Sequence, residues 1–236
     1  MEIPVNQMPI WVEAQFLKRL NRFSAEVLIT GSLAPVVVHV ANTARLKELL
    51  IPGVAVLLTH EPKESRKTQH TLRRVAMGNI WVSIDSNAPN RSLRHWLEKG
   101  DWRMPGIDEN PVVKSEVIWG QSRFDLMLPE HNLMIEVKGV TLVRQGWAMF
   151  PDAPTTRGTK HVNELRDFAS KGGRAAIVFI CQRQDVERFK PYAENDPEFS
   201  KALIAANAAG VEIYVLRTRV TLQGDVFDGE IPWSLT

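Results

Sequence analysis

The sequence has a single cysteine, Cys181, among its 236 residues. An internal disulfide is therefore excluded, and so is a metal site built from several thiolates. No run approaches the roughly 18 consecutive apolar residues of a membrane span. The opening stretch, MEIPVNQMPIWVEAQ, lacks the basic and then apolar order of a secretory signal. We therefore expect a cytoplasmic protein with no membrane partner.

The charge of the chain is small overall but unevenly distributed. The formal net charge is +2. Residues 1–105 hold 14 Lys and Arg against 9 Asp and Glu, whereas residues 106–236 hold 15 against 18. A basic first part joined to an acidic second part suits a polyanion-binding domain followed by a metal site. Ordinary scatter of surface charge is the alternative, and the charge counts alone favour it.

The first part of the chain, residues 1–88, reads as short strands separated by turns. The predicted strands are Phe16–Leu20, Arg22–Leu28, Val36–Val40, Val54–Thr59, Thr71–Met77 and Ile80–Ile84. Short strands at this spacing are typical of a small barrel or sandwich, and an OB-like five-stranded barrel fits the length. Asn42-Thr43 is a plausible N-cap for a helical stretch over Ala44–Leu50.

A basic loop lies within this first part. Five of the residues from Pro62 to Arg74 are Lys or Arg. On a loop that leads into a strand, Arg66, Lys67 and Arg73 are placed to follow a phosphate backbone. A loop that is simply solvated is the equally supported alternative.

The second part, residues 89–236, alternates strands and helices. The pattern predicts helices over 90–99, 158–171 and 196–209 and strands over 112–119, 122–129, 132–140, 174–181 and 211–219. Short turns make the first three strands an antiparallel meander, and the later strands follow helices, which indicates parallel crossovers. The predicted fold class is α/β (α+β), with a mixed sheet covered by helices on both faces.

Charged residues interrupt the apolar strands of the meander. Asp125 and Glu136 are eleven residues apart around a turn, a spacing that sets them near each other across the ladder, and Lys138 shares the face of Glu136. Carboxylates inside apolar strands need compensation, and Mg²⁺ or Mn²⁺ supplies it. We expect Asp125, Glu136 and the Val137 carbonyl to be ligands, with Glu116 as an accessory acid. The pattern Asp…Glu-x-Lys is that of metal-dependent phosphodiesterases, although Glu-x-Lys in a strand more often forms a solvated ion pair.

A second polar group follows at the start of the predicted helix 158–171. Arg157, Lys160 and His161 lie on the face opposite the apolar stripe, and helix N-termini favour anions. These three residues are therefore candidates for holding a phosphate. An ordinary exposed helix face is the alternative.

The motifs of the second part resemble those of the bacterial sugar fermentation stimulation protein A family. They are Lys114-Ser115-Glu116-Val117, Ser122-Arg123-Phe124-Asp125, Ile135 to Leu142, Phe150-Pro151-Asp152-Ala153 and Thr155-x-Arg157-Gly158-x-Lys160-His161-x-x-Glu164-Leu165. The resemblance covers nearly the whole chain and is densest over 113–182. In the first part the chain departs from the family, with Ala44-Arg45-Leu46 after Asn42-Thr43 and Asp85-Ser86 where the family has Asn-Thr.

The resemblance implies an OB-like domain over 1–88, a PD-(D/E)XK nuclease-like domain over 89–236, and DNA binding. It implies that Asp125, Glu136 and Lys138 form the nuclease signature with Glu116 as an accessory acid, and that Arg157, Lys160 and His161 contact the substrate. Two hypotheses follow: a Mg²⁺- or Mn²⁺-dependent nuclease, or a DNA-binding regulator of sugar (maltose) metabolism that does not cleave. The sequence leaves open the choice between DNA and RNA and the oligomeric state.

Overall fold

The computed structural model describes residues 10–62 and 67–236. They form two compact units. One comprises the chain up to Ala88 together with Arg219–Val226, and the other comprises Pro89–Thr218 with Phe227–Thr236. The sequence assigned the segment Arg219–Val226 to the second domain. The segment contains the turn of the hairpin formed by the last two strands. It groups with the first unit because a residue of that unit contacts its backbone: the Trp11 indole N–H donates to the Leu222 carbonyl at 2.7 Å.

The first unit is a closed barrel. Its strands are β1 (Trp11–Arg19), β2 (Ser24–Ile29), β3 (Val36–Val40), β4 (Ala55–His60), β5 (His70–Met77) and β6 (Ile80–Ser83). They follow the order β3-β2-β1-β4-β5-β6, and β3 also pairs in parallel with β5 through Val40 and Leu72, which closes a ring of five strands. The inward positions are fully buried aliphatic and aromatic side chains such as Phe16 and Val27. The predicted OB-like barrel is confirmed.

The predicted helix over Ala44–Leu50 is wrong, because this stretch forms turns and Leu46 has a φ of 50°. The Arg19 guanidinium donates to the carbonyls of Asn42 at 2.7 Å and Ala44 at 2.8 Å. An α-helix would need the Ala44 carbonyl for its own ladder. The Asn42 side chain accepts the Ala44 N–H at 2.8 Å, so it caps a turn instead of a helix.

The second unit contains a six-stranded mixed sheet and a small three-stranded sheet. Its elements are α1 (Ala88–Lys99), β7 (Lys114–Trp119), β8 (Ser122–Leu128), β9 (Leu133–Val140), β10 (Val143–Arg144), β11 (Trp147–Phe150), α2 (Thr156–Ser170), β12 (Arg174–Cys181), β13 (Arg188–Pro191), α3 (Pro197–Ala208), β14 (Glu212–Thr221) and β15 (Gly224–Glu230). The larger sheet has the order β15-β14-β12-β9-β8-β7. β9, β12 and β14 are parallel, while β7, β8 and β9 are an antiparallel meander. The predicted mixed sheet is confirmed.

Helices cover both faces of this sheet. Trp96 of α1 packs in a core with Ile135 and Val178 on one face. On the other face, Leu165 of α2 packs with Phe179. The longest helix, α2, has 15 residues, and no helix in the described part of the chain is long and apolar enough to cross a membrane.

Four strands escaped prediction. β10, β11 and β13 form the small sheet and, at two to four residues each, are too short to show a periodic pattern, while β15 carries charged and glycine residues in place of an apolar alternation.

Candidate metal centre

The centre forms where β8 and β9 stop pairing. Their ladder ends at the pair Leu126 and Ile135, although both strands continue beyond it. In continued register the next pair is Asp125 and Glu136. There, the Asp125 carboxylate accepts the Val137 N–H at 2.8 Å in place of a bond between the two backbones. The Asp125 side chain thus replaces the backbone pairing at the point where the two strands separate, and it lies beside Glu136.

Asp125 is held by neutral donors. Its second oxygen accepts a hydrogen bond from the Asn90 amide of α1 at 2.6 Å. Burial, together with the nearby charge of Glu136, raises the pKa of Asp125 to about 6, against the partly compensating hydrogen bonds and the charge of Lys138. The described residues therefore stabilise the charged form of Asp125 less well than water stabilises that of an exposed aspartate.

Glu136 is almost fully buried, with 2% of its surface exposed. Its Oε1 binds both the Lys138 ammonium and the Nδ1 of His161, the latter at 2.5 Å. Burial pushes the pKa of Glu136 upward, but the hydrogen bond from His161 and the charge of Lys138 outweigh it and leave the pKa below its ordinary value. Its Oε2 is buried and has no hydrogen-bond partner among the described residues. An ionised carboxylate with one unpaired buried oxygen is suited to bind a cation.

This set of residues fits a small oxygen-binding divalent cation. Asp125 and Glu136 provide two carboxylates, and no group of three or more His, Cys, Asp and Glu positioned for a metal occurs in residues 10–62 and 67–236. Mg²⁺ commonly takes one or two protein carboxylates and fills its other positions with waters and substrate phosphates. Two carboxylates are therefore sufficient.

The structure does not bring Glu116 into this pair. The neighbours of Glu116 in β7, Ser115 and Val117, pair with Leu126 and Phe124, which flank Asp125 in β8, so the register alone would set Glu116 opposite Asp125. However, Glu116 has a φ of 59°, which breaks the alternation of the strand. Its side chain is 55% exposed and pairs with Arg123 at 2.6 Å. The alternation assumed from the sequence fails here, and Glu116 is not one of the grouped carboxylates.

Helix α2 brings His161 to the centre. Thr155 caps the helix by accepting the Gly158 N–H at 3.0 Å, and a Cβ at Gly158 would lie 2.7 Å from the Thr155 methyl, so glycine keeps the cap intact. The prediction that His161 lies on the exposed face is wrong, because it is buried with Leu165. A polar side chain can join the apolar stripe here because Glu136 satisfies its Nδ1.

Arg157 and Lys160 differ in what they contact. The Arg157 Nε donates to the Nε2 of His161 at 3.4 Å, so Arg157 reaches the centre through the histidine. The Lys160 ammonium donates to the Gln121 carbonyl at 3.2 Å and lies 3.7 Å from Glu164. Lys160 thus borders the β7–β8 turn rather than the carboxylates.

The basic loop of the first unit is only partly described. Arg66 lies outside the described residues, and Lys67 is exposed. Arg73, predicted to contact phosphate, donates instead to Glu61 at 2.5 Å and forms an ion pair with Asp85. The sequence could not show that the guanidinium is already engaged within its own unit.

Sequence reasoning missed Asn90 and Gln182. The sequence pattern places Asn90 at a helix start and gives no sign of its contact with Asp125. Gln182 follows β12 and is buried, and a Cβ at Gly139 would lie 2.6 Å from its Oε1 and 2.9 Å from Pro89. Gly139, directly after Lys138, therefore permits the close approach of both α1 and Gln182. A glycine directly after the Glu-x-Lys pattern was the feature of the sequence that could have indicated this close packing.

Comparisons with known proteins place these features in a family. The chain matches the family model described as the sugar fermentation stimulation protein RE domain over residues 87–224 and the model described as the SfsA N-terminal OB domain over residues 17–84. Together the two models span most of the chain, and each covers one of its two predicted domains.

Curated relatives and a solved structure are similar over nearly their whole lengths. The sugar fermentation stimulation protein homolog of Alkaliphilus metalliredigens is 46% identical over 224 residues, which cover 91% of this chain and 94% of the relative. That of Desulfitobacterium hafniense is 44% identical over 211 residues, with 89% and 90% covered. The solved structure of Pyrococcus furiosus SfsA in complex with Ca²⁺ is 32% identical, with a TM-score of 0.85 and coverage of 99% and 98%.

Proposed function

The chain belongs to the sugar fermentation stimulation protein family, and we propose that it is a DNA-binding protein with a phosphodiesterase (nuclease) centre that uses Mg²⁺ or Mn²⁺. The observation that carries the proposal is the buried, ionised Glu136 with an unpaired oxygen. It lies beside Asp125, and Lys138 shares its other oxygen. Such a carboxylate pair is costly unless a cation joins it.

The residues of the centre have separable roles. Asp125, the Oε2 of Glu136 and the Val137 carbonyl would hold the cation, which when bound polarises a phosphate and lowers the pKa of a bound water. Lys138 keeps further N–H donors beyond the one on Glu136, because an ammonium has three. With them it orients the attacking water and neutralises charge that develops on the phosphate.

Cation binding in a relative supports this assignment. The Pyrococcus furiosus protein was solved with Ca²⁺. Ca²⁺ and Mg²⁺ both prefer oxygen ligands, and Ca²⁺ tolerates less regular geometry. We assign a divalent cation of this class to Asp125 and Glu136 in the present chain.

Exposed cations of each unit would contact phosphates of the nucleic acid. Arg157 and Lys160 lie in the first turns of α2, where the helix dipole favours phosphate. Lys67 is an exposed cation of the barrel unit, whose OB fold commonly binds oligonucleotides. Arg66 is assigned to the same role from sequence alone.

Cleavage assays test the proposal. The purified protein is incubated with single-stranded and double-stranded DNA and either Mg²⁺ or Mn²⁺, and we expect cleavage that disappears in Asp125→Ala and Lys138→Ala. Glu198→Gln is the matched control, because Glu198 forms an exposed pair with Lys201 on α3. Wild-type protein that binds DNA and never cuts it with either metal would overturn the nuclease and favour the non-cleaving regulator of sugar metabolism.

A further inference from the structure

A line of three side chains runs from the protein surface to the buried carboxylate. Arg157 is exposed in the first turn of α2. Its Nε donates to the Nε2 of His161 at 3.4 Å, and the Nδ1 of His161 lies 2.5 Å from the Oε1 of Glu136. This line is the one described route by which an exposed cation of α2 reaches the metal centre.

The contacts fix the tautomer of His161. A guanidinium can only donate, so the Nε2 of His161 must be the acceptor of the Arg157 bond. The ring proton is therefore on Nδ1 and is donated to Glu136. His161 is buried, and its ring packs near Phe124 with the centroids 5.6 Å apart. It cannot itself contact a substrate in this conformation.

Arg157 retains bonding capacity at its outer end. Only its Nε is engaged in the line, and no acidic partner of Arg157 is found among the described residues. The terminal nitrogens of an arginine fork match the oxygens of a phosphate. Its position at the helix N-terminus adds the favourable end of the helix dipole.

We propose that Arg157 binds a phosphate of the nucleic acid and that His161 transmits this binding to Glu136, so that nucleic-acid binding and cation binding strengthen each other. His161 is then a positioning residue: it holds Oε1 so that Oε2 is the oxygen presented to the cation. The inference rests on the proposed function and adds to it a link between substrate and metal.

The length of the Arg157 contact explains how the link operates. At 3.4 Å it is longer than a typical N–H hydrogen bond and therefore weak. A phosphate bound at the terminal nitrogens would fix the guanidinium and strengthen the bond to Nε2. The two states then differ in how firmly His161 is held, which is the differential contact that coupling requires.

The test measures affinities rather than cleavage. The dissociation constant for a short DNA duplex with single-stranded tails is measured by fluorescence anisotropy in EDTA and in saturating Ca²⁺, and the ratio of the two constants is the coupling ratio. Ca²⁺ affinity without DNA is measured by calorimetry. Because linkage is reciprocal, the same ratio describes the effect of DNA on Ca²⁺ binding.

His161→Asn is the decisive variant. The Asn amide can occupy the place of the histidine Nδ1 and donate to Glu136, but it cannot reach Arg157. We expect the coupling ratio, measured at saturating Ca²⁺ for this variant, to fall at least about fivefold. His161→Ala loses both bonds and should also weaken Ca²⁺ binding by about 10–100-fold.

Two exposed variants keep the test valid if the buried ones unfold. Arg157→Lys preserves the charge but removes the Nε donor, so it should bind DNA and show the reduced ratio. Arg166→Gln removes another arginine of α2, one that pairs with Asp167, and should leave the ratio unchanged. A wild-type ratio in His161→Asn or Arg157→Lys would overturn the inference alone. Failure of the wild type to bind Ca²⁺ would overturn the proposed function as well.

Discussion

The two units of the molecule each contain a cluster of opposite charges, and the clusters differ in which polar atoms they leave without a partner. In the barrel unit, Arg73 lies between Glu61 and Asp85 and bonds both. In the second unit, Lys138 and His161 share one oxygen of Glu136 and leave the other without a partner in the described chain. The first cluster stabilises its own fold, and the second retains capacity for a ligand.

The difference shows that charge in the sequence is a poor guide to binding. The sequence predicts a function for Asp125 because it is a charged residue in an otherwise apolar strand, and for Arg73 because it belongs to a basic loop that leads into a strand. Only the fold shows that Arg73 is engaged by acids of its own unit, while Asp125 is held by the neutral donors Asn90 and Val137. Unused bonding capacity is the better criterion.

Glu136→Gln should have the largest effect on the second cluster. The substitution removes the charge of the unpaired oxygen, and we expect Ca²⁺ affinity to fall by more than about 100-fold, since loss of a supporting residue alone costs about 10–100-fold. Calorimetric titration with Ca²⁺ measures the change. Affinity like that of the wild type would show that the cation binds elsewhere.

Arg73→Ala should chiefly affect stability. It takes a partner from the buried Asp85 and the half-buried Glu61, and we expect a loss of about 2–3 kcal/mol, somewhat below the usual cost of breaking a buried pair because Arg73 is a quarter exposed. Urea unfolding measures it.

Lys67→Ala is the counterpart to that change. Lys67 is exposed, so its removal should alter stability by less than about 0.5 kcal/mol. It should instead reduce the salt dependence of DNA binding by about one phosphate contact. Two variants with equal effects on stability would contradict the distinction between an engaged and an available cation.

Asp125 should titrate well above an ordinary aspartate in the metal-free protein. Its pKa is about 6, against 3.8 for the unperturbed group. Because the folded value is the higher one, the contribution of this group to stability is fully present below about pH 4 and is lost as the pH rises through 6. Carbon-13 NMR of the carboxyl measures the midpoint. A midpoint near 4 would refute the assigned environment.

Asn90→Ala sharpens the same measurement. The Asn90 hydrogen bond favours the charged form of Asp125, so its loss should raise the pKa further. Saturating Ca²⁺ should lower the pKa in the wild type, because a bound cation favours the carboxylate.

Glu116→Gln should have the smallest effect. Glu116 is largely exposed and pairs with Arg123, and exposed pairs contribute about 0–1 kcal/mol. We expect Ca²⁺ affinity within about twofold of the wild type, in the same calorimetric assay, because a surface charge in water acts weakly at a distance. A tenfold loss of Ca²⁺ affinity would show that Glu116 does contribute to the metal site.

Much of the fold followed from local patterns. The alternation of the barrel strands and the apolar run of β12 predicted elements that the structure contains, and the bounds of β12 agree to the residue. The predictions failed where a distant group decided the outcome. The turns of 44–50 follow from Arg19, and the burial of His161 follows from Glu136.

The sequence by itself determined most of the helices and strands, the order of the meander, and the eleven-residue spacing that sets Asp125 beside Glu136, because these depend on side-chain periodicity and turn length. Only the tertiary structure decided which charges are already satisfied. The positive φ of Glu116 directs its side chain away from the carboxylate pair. Asn90 donates to Asp125, and Arg157 donates to the buried His161. Hydrogen bonds between residues far apart in the chain have no local pattern, so they emerge only when the layers pack.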